Sequence, residues 1–193
     1  MKYAYINGII LDGKKDMIPQ REKIILVEDE KIVDIVEDAC LDTYKIIDLK
    51  GQYILPGLIN LHVHLIDDGC PKDMVECAKE CIKNNIMVGL GNDAGCPYVT
   101  HYDFYRELYY FQKYCDVTSS YALHCATLQN AKIAGIDAMT GSIEKGKYAD
   151  FIVCKENPLE DLRELKELSM VVSKGNIHHP VIERSEKVER LLG

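Results

Sequence analysis

Short runs of β-branched and aliphatic residues, punctuated by turn formers, occupy the first third of the chain. Tyr3-Ala4-Tyr5-Ile6 leads to Asn7-Gly8 and then to Ile9-Ile10-Leu11. That pattern predicts a two-residue hairpin, because Asn-Gly readily supplies the left-handed backbone such a turn needs. Lys23–Val27, Lys31–Val36, Lys45–Leu49 and Tyr53–Leu55 continue the series, separated by turns such as Glu28-Asp29-Glu30 and Lys50-Gly51. Together they predict a small antiparallel sheet.

Pro56-Gly57 interrupts the series, and Leu58–His64 then reads as an apolar strand ending in two histidines. The period changes over 71–85, where Met74, Val75, Ala78, Cys81 and Ile82 form one helical stripe. Ile86–Gly91 is a buried-strand candidate ending at Asn92-Asp93. Two helices are expected next. Thr100 caps the first, which carries Phe104, Leu108 and Phe111, with Asp103 in its first turn. Thr118 caps the second, which runs through Leu123 and Leu128 toward a stop at Gly135. Strand patterns return at Tyr148–Val153 and Met170–Val172, the latter turning through Lys174-Gly175 into Asn176-Ile177. Two β-rich ends therefore flank an α/β middle. Residues 1–55 and 140–182 are expected to pair into one discontinuous β-domain around 56–139, with 183–193 a solvated, charge-rich tail.

Composition narrows the function classes. The net charge of −8 argues against non-specific nucleic-acid binding, which needs clustered Lys and Arg. No apolar run approaches the roughly 18–20 residues that span a bilayer. The opening Met1-Lys2-Tyr3-Ala4 runs into a β pattern without an apolar secretory core, so the expected location is the cytoplasm. The eight cysteines contain no CxxC pair and are expected to act mostly as small buried apolar residues.

Two positions apart in a strand, side chains share a face. His62 and His64 would therefore project together, a half-site for a divalent metal such as zinc. An HxH pair alone is also what two chance histidines look like. Here it ends a buried apolar strand, where imidazoles need a compensating partner. Asp93, ending the second apolar strand after Gly89 and Gly91, is the candidate partner, as metal ligand, as general base or as both. The alternative is an ordinary turn, which Asn92-Asp93 followed by Gly95 would also make.

Ile54–His64 resembles the start of the amidohydrolase superfamily barrel, whose first strand ends in HxH. Val88-Gly89-Leu90-Gly91-Asn92-Asp93-Ala94-Gly95 is similar to its eighth strand, with the pattern GTDxG, although Asn92 stands where Thr is usual. Gly141–Val153 resembles its closing segment, GSIExGKxADxIV, and Asn157–Leu162 continues the likeness. Pro97–Asp103 points to the imidazolonepropionase-like and Xaa-Pro-dipeptidase-like branch. The resemblance implies an α/β plus β fold: partial (β/α) TIM-type barrel elements over 56–139, with a discontinuous β-sandwich made by the two ends. It implies metal ligation by His62, His64 and Asp93, with Asp93 as proton shuttle, and a divalent ion, zinc above others. His101 either holds a substrate carboxylate or caps its loop. His124 is expected to pack, and His178 and His179 to lie exposed or at an edge. The substrate class implied is a small amide, cyclic amide or dipeptide-like molecule, cleaved at a C–N bond.

Length sets the counterweight. A barrel of eight strand–helix units needs about 200–250 residues, and residues 65–85 leave room for one helix. A direct link from first to eighth strand would also be left-handed, against the strong preference for right-handed crossovers. Open strand edges would invite self-association. Beside the active hydrolase stands an inactive family member that at most binds a partner or forms a homo-oligomer.

Overall fold

The computed structural model describes residues 1–62, 71–95, 99–181, 183–187 and 190. Nine strands form two mixed sheets among these residues. The first sheet contains β1 (Lys2–Ile6), β3 (Ile24–Glu28), β4 (Lys31–Val36) and β5 (Lys45–Asp48), in the order β4-β3-β1-β5. The second contains β2 (Ile9–Ile10), β6 (Tyr53–Pro56), β7 (Phe151–Cys154), β8 (Leu168–Ser173) and β9 (Asn176–His178), in that order. The antiparallel β6–β7 pairing, Tyr53↔Cys154 through Pro56↔Phe151, joins the two ends of the chain in one sheet.

The expected Asn7-Gly8 hairpin does not form. β1 runs parallel to β5 and β2 runs parallel to β6, so both chains pass from one sheet to the other together. Asn7 takes the left-handed conformation (φ +54°) at this crossing. A Cβ on Gly8 would lie 2.5 Å from the Leu49 side chain, so the crossing needs glycine's bare backbone. The sheets are therefore mixed rather than simply antiparallel, because strands distant in sequence pair across the crossing.

β7 shows why the second sheet sits centrally. All four of its residues are buried, as expected for a strand covered on both faces. Phe151 and Val153 pack toward the first sheet with Tyr5, Ile25, Val27 and Ile54. Ile152 and Cys154 face the helices with Leu55, Leu108, Phe111 and Leu123. Tyr5 meets Phe151 edge to face, with ring centroids 4.9 Å apart. The period-2 alternation of one strand thus feeds two cores.

The helical layer comprises α1 (Pro71–Lys83), α2 (Phe104–Cys115), α3 (Ser119–His124) and α4 (Asn130–Ile133), with a π turn over Cys125–Gln129 joining α3 to α4. Thr118 caps α3, its side chain accepting from the Tyr121 amide at 3.2 Å. Thr100 acts differently from expectation. It precedes a 3-10 turn, His101–Asp103, and its hydroxyl donates to the Asp103 carboxylate at 2.6 Å instead of capping a backbone N–H. The tail is also less free than its charge suggests. Arg184 is half-buried, donating to Lys166 O at 2.7 Å and to Asp103 at 3.3 Å.

Cys115, Cys125 and Cys154 are buried, Cys77 and Cys81 are half-buried, and Cys40 is exposed. Burial pushes the Cys125 and Cys154 thiols up to about 12, which keeps them protonated and unreactive. No helix among the described residues is long and apolar enough to cross a membrane.

Candidate functional site

The segments Leu58–His62 and Ile86–Asp93 lie side by side, but the strands expected there are not formed among the described residues. One main-chain hydrogen bond links them, from Leu61 N to Leu90 O (3.1 Å). Among the described residues no strand flanks these segments, so backbone groups that a barrel would pair in ladders must find other partners.

Helical side chains supply those partners. Asn130, fully buried, accepts from the Leu90 amide (3.0 Å) and donates to Leu90 O (2.8 Å) and Ile59 O (2.5 Å). Gln129 donates to Val88 O at 2.6 Å. A π turn inserts an extra residue into the helical ladder, and here it ends where these consecutive carboxamides begin their work. Gly89 permits the close approach: a Cβ there would stand 2.9 Å from Leu61 and 3.0 Å from Asn130. The Ala126 carbonyl completes the seam by accepting from Ile59 N at 2.8 Å.

At the far end of this seam a second pair of carboxamides braces the backbone. Asn60 donates to the Asn92 side chain at 2.6 Å. The Asn60 oxygen accepts from the amides of His62 (3.1 Å) and Asn92 (3.3 Å). Asn92, in place of the usual Thr, also reaches Thr100 O at 3.4 Å and so ties the seam to the loop before α2. Just past this brace His62 and Asp93 converge, with Nδ1 and Oδ1 separated by 3.0 Å. Both have left-handed backbone, φ +50° and +49°. Ordinary turns of this chain, such as Asp29 and Lys50, share that conformation, so the convergence rather than the dihedral marks the site.

The donor set suits a borderline divalent ion such as zinc, which takes imidazole nitrogen and carboxylate oxygen at about 2.0–2.2 Å. The two donors are about as close as two ligands of one ion. Among the described residues no cluster of three or more His, Cys, Asp or Glu side chains is assembled. His64 lies outside the described residues, as do Pro97 and Tyr98.

The other histidines separate from this pair. His101 is exposed on its 3-10 turn, where its ring meets Tyr102 edge to face at 5.6 Å. His124 is buried, with Nδ1 2.8 Å from Gly13 O, and burial lowers its pKa. Exposed His179 lies 3.1 Å from Ser169 O through Nδ1.

The amidohydrolase family model matches residues 70–178. Over 69 residues the chain is 32% identical to the 5-methylthioadenosine/S-adenosylhomocysteine deaminase of Bacillus thuringiensis (strain Al Hakam), covering 34% of this chain and 16% of the deaminase. Dihydroorotase from the same strain is 33% identical over 69 residues, 36% of this chain and 15% of that enzyme. The matched stretch is thus about a sixth of these curated relatives. Among solved structures, a prolidase candidate from Bifidobacterium longum superposes with a TM-score of 0.90 at 18% identity, covering 100% of this chain and 98% of the other. A Xaa-Pro dipeptidase with bound methionine gives 0.67 at 13% identity, covering 93% and 100%. At such identities the structural likeness is one of fold, whereas the family model spans more than half of the sequence. By that match, the chain belongs to the amidohydrolase family.

Proposed function

We propose that the chain is a metal-dependent hydrolase of a C–N bond in a small amide, cyclic amide or dipeptide-like substrate. In this reading a barrel-derived middle, 56–139, is carried by a sandwich formed from 1–55 and 140–182. The observation that carries the proposal is the 3.0 Å meeting of His62 and Asp93 from segments far apart in sequence. The deaminase and dihydroorotase that the chain resembles, and the dipeptidase that shares its fold, support this substrate class.

His62 and Asp93 would hold a divalent ion, with His64 as the third ligand, and the ion would supply Lewis acidity toward the substrate carbonyl. Asp93, 32% exposed at its side chain, keeps access to solvent. It would accept a proton from the attacking water and return it to the departing nitrogen. Asn60 and Asn92 hold the backbone on which both groups are mounted. In this reading His101 lies on the substrate side of the loop and contacts a substrate carboxylate.

Metal content of the purified full chain tests the assignment. About one equivalent is expected for a three-ligand zinc site, falling in both His62→Ala and Asp93→Ala. Metal at far below stoichiometry, unchanged by either substitution, removes the reading. Among the described residues one main-chain hydrogen bond joins the segments, and this favours a second reading, a folded but inactive family member. It predicts no effect of chelators on stability and no hydrolysis across a panel of dipeptides and cyclic amides.

A further inference from the structure

A separate cleft of about 150 Å³ opens between α1, residues 88–91 and α2. Ala78, Leu90 and Phe111 form apolar walls, and Tyr110 and Tyr114 stand at the margin, 38% and 50% exposed. Their rings stack with centroids 5.9 Å apart. An apolar cavity near 150 Å³ is large enough for a benzene-sized molecule.

One acidic group lines this cleft. Glu107, half-buried in the lining, has neither a hydrogen bond nor an ion pair among the described residues. The charges nearby are already engaged. Glu76 and Lys79 of α1 pair with each other at 3.6 Å. Arg106, next to Glu107 on α2, lies 3.7 Å from the Asp103 carboxylate. Lys113 lies over the Tyr114 ring at 5.4 Å. Cys115, also in the lining, is held protonated by burial, and residues 88–91 carry no ionisable side chain.

We propose that this cleft binds a small organic ammonium, an alkyl or aryl primary amine whose apolar part fills the cavity while its charge meets Glu107 and the tyrosine ring faces. Charge complementarity selects this occupant. A carboxylate without a partner offers an ammonium a charge-assisted hydrogen bond, and tyrosine rings add cation–π attraction. A neutral alcohol of the same shape can donate a hydrogen bond to the carboxylate, but it gains neither an ion pair nor cation–π attraction. Binding favours ionised Glu107, and burial pushes that carboxyl up to about 7. The preference for a cation should therefore weaken as pH falls below that value.

Calorimetric titration of the full chain with benzylammonium and with benzyl alcohol, its neutral isostere, tests the site. At about pH 8.5 the ammonium should bind roughly tenfold tighter than the alcohol. The gap should narrow sharply near pH 5.5, where the Glu107 carboxyl is mostly protonated. In Glu107→Gln most of the preference should be lost, leaving only the share that the tyrosine rings contribute. Tyr114→Ala, at an exposed position, should weaken the ammonium more than the alcohol. Equal affinities in the native chain, a preference undiminished in Glu107→Gln or in the acid arm, or no saturable binding of benzylammonium would each overturn the proposal. The pH arm uses the native protein and decides the question even if a variant fails to fold.

Discussion

The central sheet and the seam beside it solve the same problem by different means. In β6, β7 and β8 each strand satisfies its backbone with a neighbouring strand, and its side chains fill two cores. Along 58–62 and 86–93 a single main-chain bond joins the segments, and carboxamides of Asn130, Gln129 and Asn60 bind much of the rest. A ladder spreads its stability over many equivalent bonds. The seam concentrates it in a few side chains, so single substitutions should distinguish the two regions.

The ladder region should show the largest loss. Phe151 is fully buried in the strand that serves both cores. Phe151→Ala should cost about 3–5 kcal/mol through lost transfer energy and a residual cavity. Denaturant unfolding should report it as one cooperative shift in midpoint. A loss below about 1 kcal/mol would mean that the sheet collapses around the cavity and that the double layer is looser than its packing indicates.

Asn130→Ala comes next. It removes a buried side chain that makes three hydrogen bonds to the seam, leaving Leu90 N and two carbonyls to find new partners. A cost of about 2–3 kcal/mol is expected, since orphaned buried groups bear their desolvation penalty. The decisive feature is where it falls. Hydrogen exchange should accelerate at Leu61 and Leu90 well before β7, because the seam opens as a local unit. Equal acceleration in both regions would erase the distinction.

Much of the ladder region was legible in the sequence, and little of the seam. Period-2 runs such as Ile24–Glu28 and the helical stripe of 71–83 carry their own signatures. Sheet membership does not, because it depends on partners far along the chain. Asn7-Gly8 has hairpin chemistry, yet Leu49 and Gln52 turn it into a crossing. In the site, HxH and the Asp after a Gly-rich run pointed to His62 and Asp93, which do meet. Asn130 and Gln129 were hidden inside a helical pattern. Their one visible signal is two adjacent carboxamides, between Leu128 and Ala131, on a helix otherwise rich in small apolar residues. Arg184 was missed because charge implied solvation, whereas a buried acid, Asp103, recruits it.

The helical layer differs from the double sheet in also holding a carboxyl, that of Glu107, with no hydrogen bond or ion pair among the described residues. Burial pushes Glu107 from the ordinary 4.5 up to about 7, so the folded chain holds that proton more tightly than the unfolded one. The contribution of Glu107 to stability should be fully present below pH 4.5, fall as pH rises through that window, and carry the full cost above pH 7. The cost is at most about 3 kcal/mol, and closer to 1–2 for a side chain that retains contact with water. Glu107→Gln should remove this slope and raise stability above neutrality. Identical pH dependence of the native chain and Glu107→Gln between pH 4.5 and 7 would show that Glu107 is hydrated.

The smallest stability effect belongs at the tip of the seam. The His62 side chain is 60% exposed, and it meets an Asp93 carboxylate that is itself reached by solvent. An exposed pair of this kind contributes about 0–1 kcal/mol. Metal-free His62→Ala should therefore unfold within about 0.5 kcal/mol of the native chain. If the pair is a ligand site, the native chain gains stability when zinc is added, because an ion bound only by the folded state shifts the equilibrium toward it. The variant should lose that gain, while Asn130→Ala should retain it in part, its ligands being intact on a loosened support. A large loss in metal-free His62→Ala, with no response of the native chain to zinc, would make the His62–Asp93 contact a structural clasp of the seam.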